Sequence, residues 1–152
     1  MGKTKIIGDT KADVGKTPLD FYSWGHVAMG IVTFLLLSLI NNIPSMVEGR
    51  IIPIIPWWPM ILLVLLVAVV WELLENTLLI DMGVKFEGRR DSIENALWDI
   101  IFVVIGGAIM WIFKGIAVNI YGVENIPLFY IVGIVSFVVV IICFLIGKFI
   151  TK

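Results

Sequence analysis

Residues 57–80 read WWPMILLVLLVAVVWELLENTLLI. From Met60 to Trp71 every side chain is apolar, and then Glu72, Glu75 and Asn76 arrive before the apolar character ends. About 20 residues at ~1.5 Å rise each cross the roughly 30 Å of a bilayer's hydrocarbon. A spanning segment must satisfy its backbone groups internally, so it is a helix unless strands close a barrel, and the alternation of barrel strands is missing here. The spacing i, i+3, i+4 puts Glu72, Glu75 and Asn76 on one helical face. A charge at such depth costs about 2.5–3.5 kcal/mol on insertion scales. These carboxylates therefore need one another, water or an ion.

Three further stretches are long and apolar enough to span: Phe21 to Ile40, Glu94 or Ala96 to Lys114 with a continuation toward Tyr121 as an interfacial turn, and Pro127 to Phe149. Asn41-Asn42-Ile43-Pro44 is expected to end the first. The proline-punctuated stretch from Ile52 to Pro59 is expected at the membrane surface, with Trp57 and Trp58 in the aromatic belt. Gly83 to Arg90 reads as a polar loop and Gly122 to Pro127 as a turn. Composition agrees: 152 residues, 60% apolar and 15% charged, against about 45–50% and about 25% in soluble domains. The fold class expected is all-α, a polytopic membrane protein of four transmembrane helices. Residues 1–19 form a polar cytoplasmic tail and residues 20–152 the transmembrane domain. The tail is too polar for a signal peptide, and Ile6 stands where a myristoylation signal takes Ser or Thr. The one cysteine, Cys143, excludes an internal disulfide and any multi-cysteine metal site.

Basic residues set the direction. Lys3, Lys5, Lys11 and Lys16 lie in the tail, Lys85, Arg89 and Arg90 between the second and third spans, and Lys148 and Lys152 at the end. Arg50 and Lys114 stand on the other side, Lys114 with a stem long enough to snorkel. The positive-inside rule makes the first side cytoplasmic, with both termini inside a multi-pass cell-membrane protein.

Depth then gathers the ionisable groups. His26 lies roughly 8 Å inside the first span and Glu75 roughly 8 Å before the end of the second, at ~1.5 Å per residue. Glu72 is a turn deeper, and Asp99 falls within the first turns of the third span. Asp91, Asn95 and Asp99 step by four into a stripe that continues to Gly106 and Gly107. Ser23, His26, Gly30 and Thr33 share a face of the first span. Small residues above a polar cluster permit close helix approach. Plainer readings stand beside each: His26 as a core histidine, Asp91 as a helix cap, Glu94 on the solvated side, Arg89 and Arg90 as topology signals, Trp71, Trp98 and Trp111 as packing.

Carboxylates crowded at one spot repel unless protons or a cation intervene. Glu72, Asp91, Asn95 and Asp99, with one imidazole, suit a hard divalent ion, Mg²⁺ or Mn²⁺ ahead of Zn²⁺. Arg89 and Arg90 at the mouth suit a phosphate. The scheme these imply is phosphoryl chemistry on a phosphorylated lipid or polyprenyl carrier, with His26 or Glu75 as catalytic acid or base and the ion activating water.

Asp20-Phe-Tyr-Ser-Trp-Gly-His26-x-x-x-Gly30, Trp71-Glu72-x-x-Glu75-Asn76-Thr77 and Arg90-Asp91-Ser92-x-x-Asn95-x-x-x-Asp99 resemble a family of small polytopic bacterial inner-membrane proteins, itself similar to the VanZ-like proteins. Those pair an early Asp–His motif with a later Glu and an Arg, Asp and Asn motif, though Asp20 and His26 stand farther apart than is usual there. The resemblance implies a polytopic fold and a loose link to the cell envelope and glycopeptide resistance, but no reaction. Two other functions stay open: an interaction or assembly protein whose polar cluster fixes helix packing, and a cation or proton transporter. Membrane lipid is the expected partner and a homo-oligomer is open, whereas nucleic acid is not expected. Gly-x-Ser-x-Gly and His-Glu-x-x-His are both lacking.

Overall fold

The computed structural model describes residues 5–85 and 88–151. Lys3 and Lys152 of the sequence reading lie outside them. The protein is all-α, 71% helix, with no strand among the described residues and four helical segments long and apolar enough to cross a membrane.

The first, α1, runs Tyr22–Glu48. It does not stop at the Asn41–Pro44 break expected for it. Pro44 lies inside the helix, which ends only at Gly49, in the left-handed conformation with φ 65° that glycine adopts without steric cost. The asparagines have another task. Asn41 donates from Nδ2 to the Ile55 carbonyl at 2.6 Å and accepts from the Ile55 N–H at 2.9 Å. Ser45 Oγ donates to the Asn41 carbonyl and accepts from the Ile52 N–H. These side chains dock the proline-rich loop onto the helix instead of ending it.

The second span is α2, Met60–Glu75, followed by a break at Asn76 and Thr77 and a short α3, Leu78–Asp81. Only the two pieces together match the uninterrupted stretch read from sequence. α4, Ile93–Lys114, starts at Ser92, whose Oγ accepts from the Asn95 N–H at 3.1 Å. A π-helix, Gly115–Ile120, and a 3₁₀ turn, Val123–Asn125, lead into α5, Ile126–Ile150, with Pro127 in its first turn.

α1 is the hub, packed against α2, α4 and α5. It meets α4 most closely. A Cβ on Gly30 would overlap the Val103 carbonyl, and one on Gly106 the Val27 carbonyl. Small residues are what allow two backbones to approach this far. Phe34, Ile31, Val64, Val103, Met110 and Phe129 fill the centre. Leu62, Leu66, Ile131 and Val138 face outward, as side chains do when the solvent is lipid.

Phe144 of α5 packs against Phe21 and Tyr22, with ring centroids 5.8 and 5.7 Å apart. The start of α1 and the end of α5 therefore share one membrane face. The described part of the tail folds back onto that face. Gly8 N–H donates to the Leu19 carbonyl and Leu19 N–H to the Ile6 carbonyl. Val14, Gly15, Thr17 and Asp20 are buried.

Candidate functional site

Three helices bring the acidic groups and the single histidine together at the tail-bearing end. His26 enters from the second turn of α1. Its Nδ1 lies 3.0 Å from the Tyr22 carbonyl, and a carbonyl only accepts, so Nδ1 carries a proton. Nε2 faces Glu72 Oε1 at 3.3 Å and Glu75 Oε2 at 3.8 Å, while Asp99 Oδ1 stands 3.2 Å from Nδ1. With Nδ1 protonated, a bare Nε2 would aim a lone pair at two carboxylates. The geometry calls for a positive centre between them, either a second proton or a metal ion.

Glu72 and Asp99 are the most enclosed of these acids, at 5% and 3% exposed. Glu72 Oε2 accepts from Asn76 Nδ2 at 3.2 Å. Glu72 Oε1 and Asp99 Oδ1 have no well-aligned hydrogen-bond donor among the described residues, their nearest polar neighbours being His26 Nε2 and Nδ1. Buried oxygens are rarely left so. His26, Glu72 and Glu75 form one set with ligand atoms within 4.8 Å of one another, and Glu72, Asp91 and Asp99 form another. Glu72 belongs to both. A histidine that donates its other N–H to a backbone carbonyl is the usual partner arrangement for a metal-ligating Nε2. The residues fit a cation.

Asp91 is held differently from the expected stripe. It lies before α4 begins and pairs with the Lys85 ammonium, which also donates to Asn76 Oδ1 at 3.0 Å and lies 3.8 Å from Glu75 Oε1. The Asp91 N–H donates to the same Asn76 oxygen at 2.8 Å. Asn76 thus joins α2 to the loop and to the entry of α4. It can do so because α2 ends there. Lys85, read from sequence only as a topology signal, belongs to the cluster. No periodicity connects it to Asp91, because positive-φ turns at Gly83 and Gly88 decide where it points.

Asn95 is buried, and its Nδ2 donates to the Thr17 carbonyl at 2.9 Å. Arg89 donates from Nη2 to the Ala12 and Val14 carbonyls at 3.1 and 2.6 Å. Ser92 N–H donates to the Gly15 carbonyl. These bonds fasten the tail across the site. Arg89 lines the cavity below it, whereas Arg90 is exposed and stands apart from that lining, so the two arginines do not form a paired clamp. Asp20 closes the near side. Its carboxylate accepts the N–H groups of Gly15 and Tyr22 at 3.0 and 2.8 Å, capping the start of α1. Burial pushes its carboxyl above the ordinary value, against the pull of those two N–H groups.

The cavity enclosed has a volume of about 300 Å³ and is lined by His26, Glu75, Lys85, Arg89, Asp91 and Asp99 together with Trp71, Leu79 and Val84. A second cavity of about 430 Å³, walled by Phe21, Trp24, Val27, Phe102 and Ile150, shares Asp20 with it. A polar chamber and an apolar one therefore meet at the start of α1.

The family described as "Predicted membrane protein (DUF2238)" matches residues 15–119, more than half of the chain. The protein belongs to the DUF2238 family. The matched stretch holds α1 to α4 and all of the cluster, and leaves α5 outside. Nothing among curated proteins or solved structures matches the chain significantly.

Proposed function

We propose that this DUF2238 protein is a membrane enzyme that holds a divalent cation and works on a phosphorylated lipid or polyprenyl carrier. The observation that carries the reading is the pair of buried oxygens without a well-aligned donor, Glu72 Oε1 and Asp99 Oδ1, set against the two ring nitrogens of His26, Nε2 and Nδ1 respectively. Glu72 and Asp99 would hold the ion, Asp91 would join after yielding Lys85, and His26 Nε2 would reach it only from the Glu72 side. Two or three carboxylates with one imidazole favour Mg²⁺ or Mn²⁺ over Zn²⁺. Such an ion would polarise a phosphoryl oxygen. Glu75, bonded to Trp71 Nε1 at 3.0 Å and held more loosely by Lys85 and His26 Nε2 at 3.8 Å each, would be the carboxylate that moves a proton. Arg89 and Lys85 supply positive charge for a phosphate at the mouth. The adjoining apolar cavity offers room for the start of a lipid chain, which is why an amphiphile fits better than a soluble phosphate ester. By the distribution of basic residues this face is the cytoplasmic one, and kinship with VanZ-like proteins belongs to the same proposal.

A second reading has its own support. Lys85, Asn76 and Asp91 satisfy one another, and a proton on His26 Nε2 would complete the network without metal. The cluster would then fix helix packing in an assembly protein. Transport has less behind it, since Ile31, Phe34, Val64, Val103 and Met110 form a buried apolar layer above the site. The test is phosphate release from a short polyprenyl phosphate or phosphatidate in mixed micelles. Release that depends on Mg²⁺ or Mn²⁺ and is lost in Asp99→Asn at an unchanged melting midpoint is expected. A variant that merely melts earlier, with no release from the wild type, favours packing.

A further inference from the structure

The buried charge that the carboxylate site leaves unused is Lys114. From Asp99 to Lys114 α4 rises about 22 Å at ~1.5 Å per residue, so this lysine belongs to the opposite membrane face. It does not snorkel as its place at a span end led us to expect. It is 3% exposed. The chain continues past it as a π-helix, a form found mostly as single turns near functional sites. Trp57 packs over Gly115, where a Cβ would come within 3.1 Å of the indole. Trp57 also stacks on Trp111 at 4.0 Å, and each indole N–H donates to the other residue's carbonyl. The proline-rich loop is thereby clasped over the ammonium.

Among the described residues the Lys114 ammonium has one hydrogen-bond partner, the Met60 thioether at 3.8 Å, and a thioether is a weak acceptor. No carboxylate faces it. It looks into a cavity of about 110 Å³ shared with Asn41, Asn42, Ser45, Asn119 and Trp57, room for roughly three or four waters at about 30 Å³ each. Asn41 and Ser45 are occupied in holding the loop, and Asn42 Nδ2 donates to the Tyr130 hydroxyl at 3.2 Å. An ammonium with only a thioether beside it, facing a cavity whose polar lining is amides and one hydroxyl and whose other walls are Ile51, Ile52, Pro53, Trp57 and Val118, lacks a negative partner among the described residues.

We propose that this cavity is an anion site in which Lys114 takes the charged oxygens of a phosphate group, either a lipid head group or free phosphate. The tryptophan clasp sits at interfacial depth, where lipid phosphates lie. The site is independent of the carboxylate cluster and of the activity proposed for it.

The test uses the purified full chain in a neutral maltoside detergent without divalent metal, melted under tryptophan fluorescence. One arm adds inorganic phosphate against chloride at equal ionic strength. The other adds phosphatidylglycerol against phosphatidylcholine. The wild type is expected to melt higher in at least one arm. A rise in the lipid arm alone assigns the head group, and a rise with inorganic phosphate shows that a free anion enters. Lys114→Met, which removes the unpaired charge at similar length, is expected to lose the rise without a lower midpoint in the ligand-free state. Asn119→Leu at the exposed rim is expected to weaken binding about tenfold and stands in should Lys114→Met not fold. No rise in either arm overturns the proposal. So does a rise that survives Lys114→Met and vanishes in Arg89→Ala, because the anion then sits on the other face.

Discussion

Replacing Lys85 by methionine takes one cation from three neighbours at once. The Lys85 side chain is 8% exposed, pairs with Asp91, donates to Asn76 Oδ1 at 3.0 Å and lies 3.8 Å from Glu75 Oε1. At 3.8 Å the Lys85–Glu75 attraction alone is about 4 kcal/mol for an effective dielectric of ~20, before solvation returns part of it. Breaking a buried pair costs about 3–5 kcal/mol. The lower end, about 3 kcal/mol, is expected here, because Asp91 sits near the rim and keeps the Asn76 amide network. For a chain of this length 1 kcal/mol moves the midpoint by about 2–4 °C, so Lys85→Met melts about 6–12 °C below wild type in EDTA. The variant leaves one more uncompensated negative charge beside Glu72 and Asp99. Divalent cations should then bind it more tightly than wild type, and an ion at about 100 times its dissociation constant restores ~2.7 kcal/mol. The assay is a tryptophan-fluorescence melt in detergent, with EDTA or with millimolar Mg²⁺ or Mn²⁺. A variant within about 2 °C of wild type in EDTA, or equal gains from the ion in both proteins, would refute the reasoning.

Gly106→Ala forces a Cβ into the Val27 carbonyl and should cost at least about 1–3 kcal/mol as overpacking; Gly25→Ala, whose Cβ would meet Phe144 at an ordinary 3.7 Å, serves as a near-neutral control in the same melt. Arg89→Ala should free the backbone around Ala12 and Val14, seen as faster protease cutting of the tail, whereas Arg90→Ala should leave cutting unchanged. The tail should also respond to acid. The Lys5 ammonium beside it, with the Thr10 hydroxyl, holds the Asp13 carboxyl well below its ordinary 3.8. Asp13 therefore binds fewer protons folded than unfolded, and its contribution is present above that ordinary value and lost as pH falls below it. Asp20 has the opposite sign, since burial raises it: its contribution is present below 3.8 and declines as pH rises from there. Amide exchange of residues 6–19 against pH, in wild type and Asp13→Asn, separates the two.

Much of the site was legible because membrane helices are simple objects. Length and apolarity located four spans, and a fixed rise with i, i+3 and i, i+4 spacing placed His26, Glu72, Glu75 and Asp99 at one depth. What escaped were contacts set by irregular backbone. Lys85 reaches Asp91 through turns at Gly83 and Gly88 that carry no periodic signal. Asn41 and Asn42 look like a helix end in sequence because Pro44 follows, yet Asn41, together with Ser45, binds the next loop. The tail reads as solvated until Arg89, Ser92 and Asn95 take hold of its carbonyls. Lys114 resembles a snorkelling end residue, and only the π-helix that follows shows it enclosed.

The central claim is that the carboxylate oxygens of Glu72 and Asp99, flanked by the His26 ring, surround a place for a cation. Elemental analysis of the protein purified in detergent, wild type beside Glu72→Gln, tests it most directly. About one equivalent of Mg or Mn per chain in the wild type, lost in the variant while the fold persists, is the expected result. Equal metal in both proteins, or none in either after dialysis against the ions, would contradict it and leave His26 as the proton-bearing centre of a packing network.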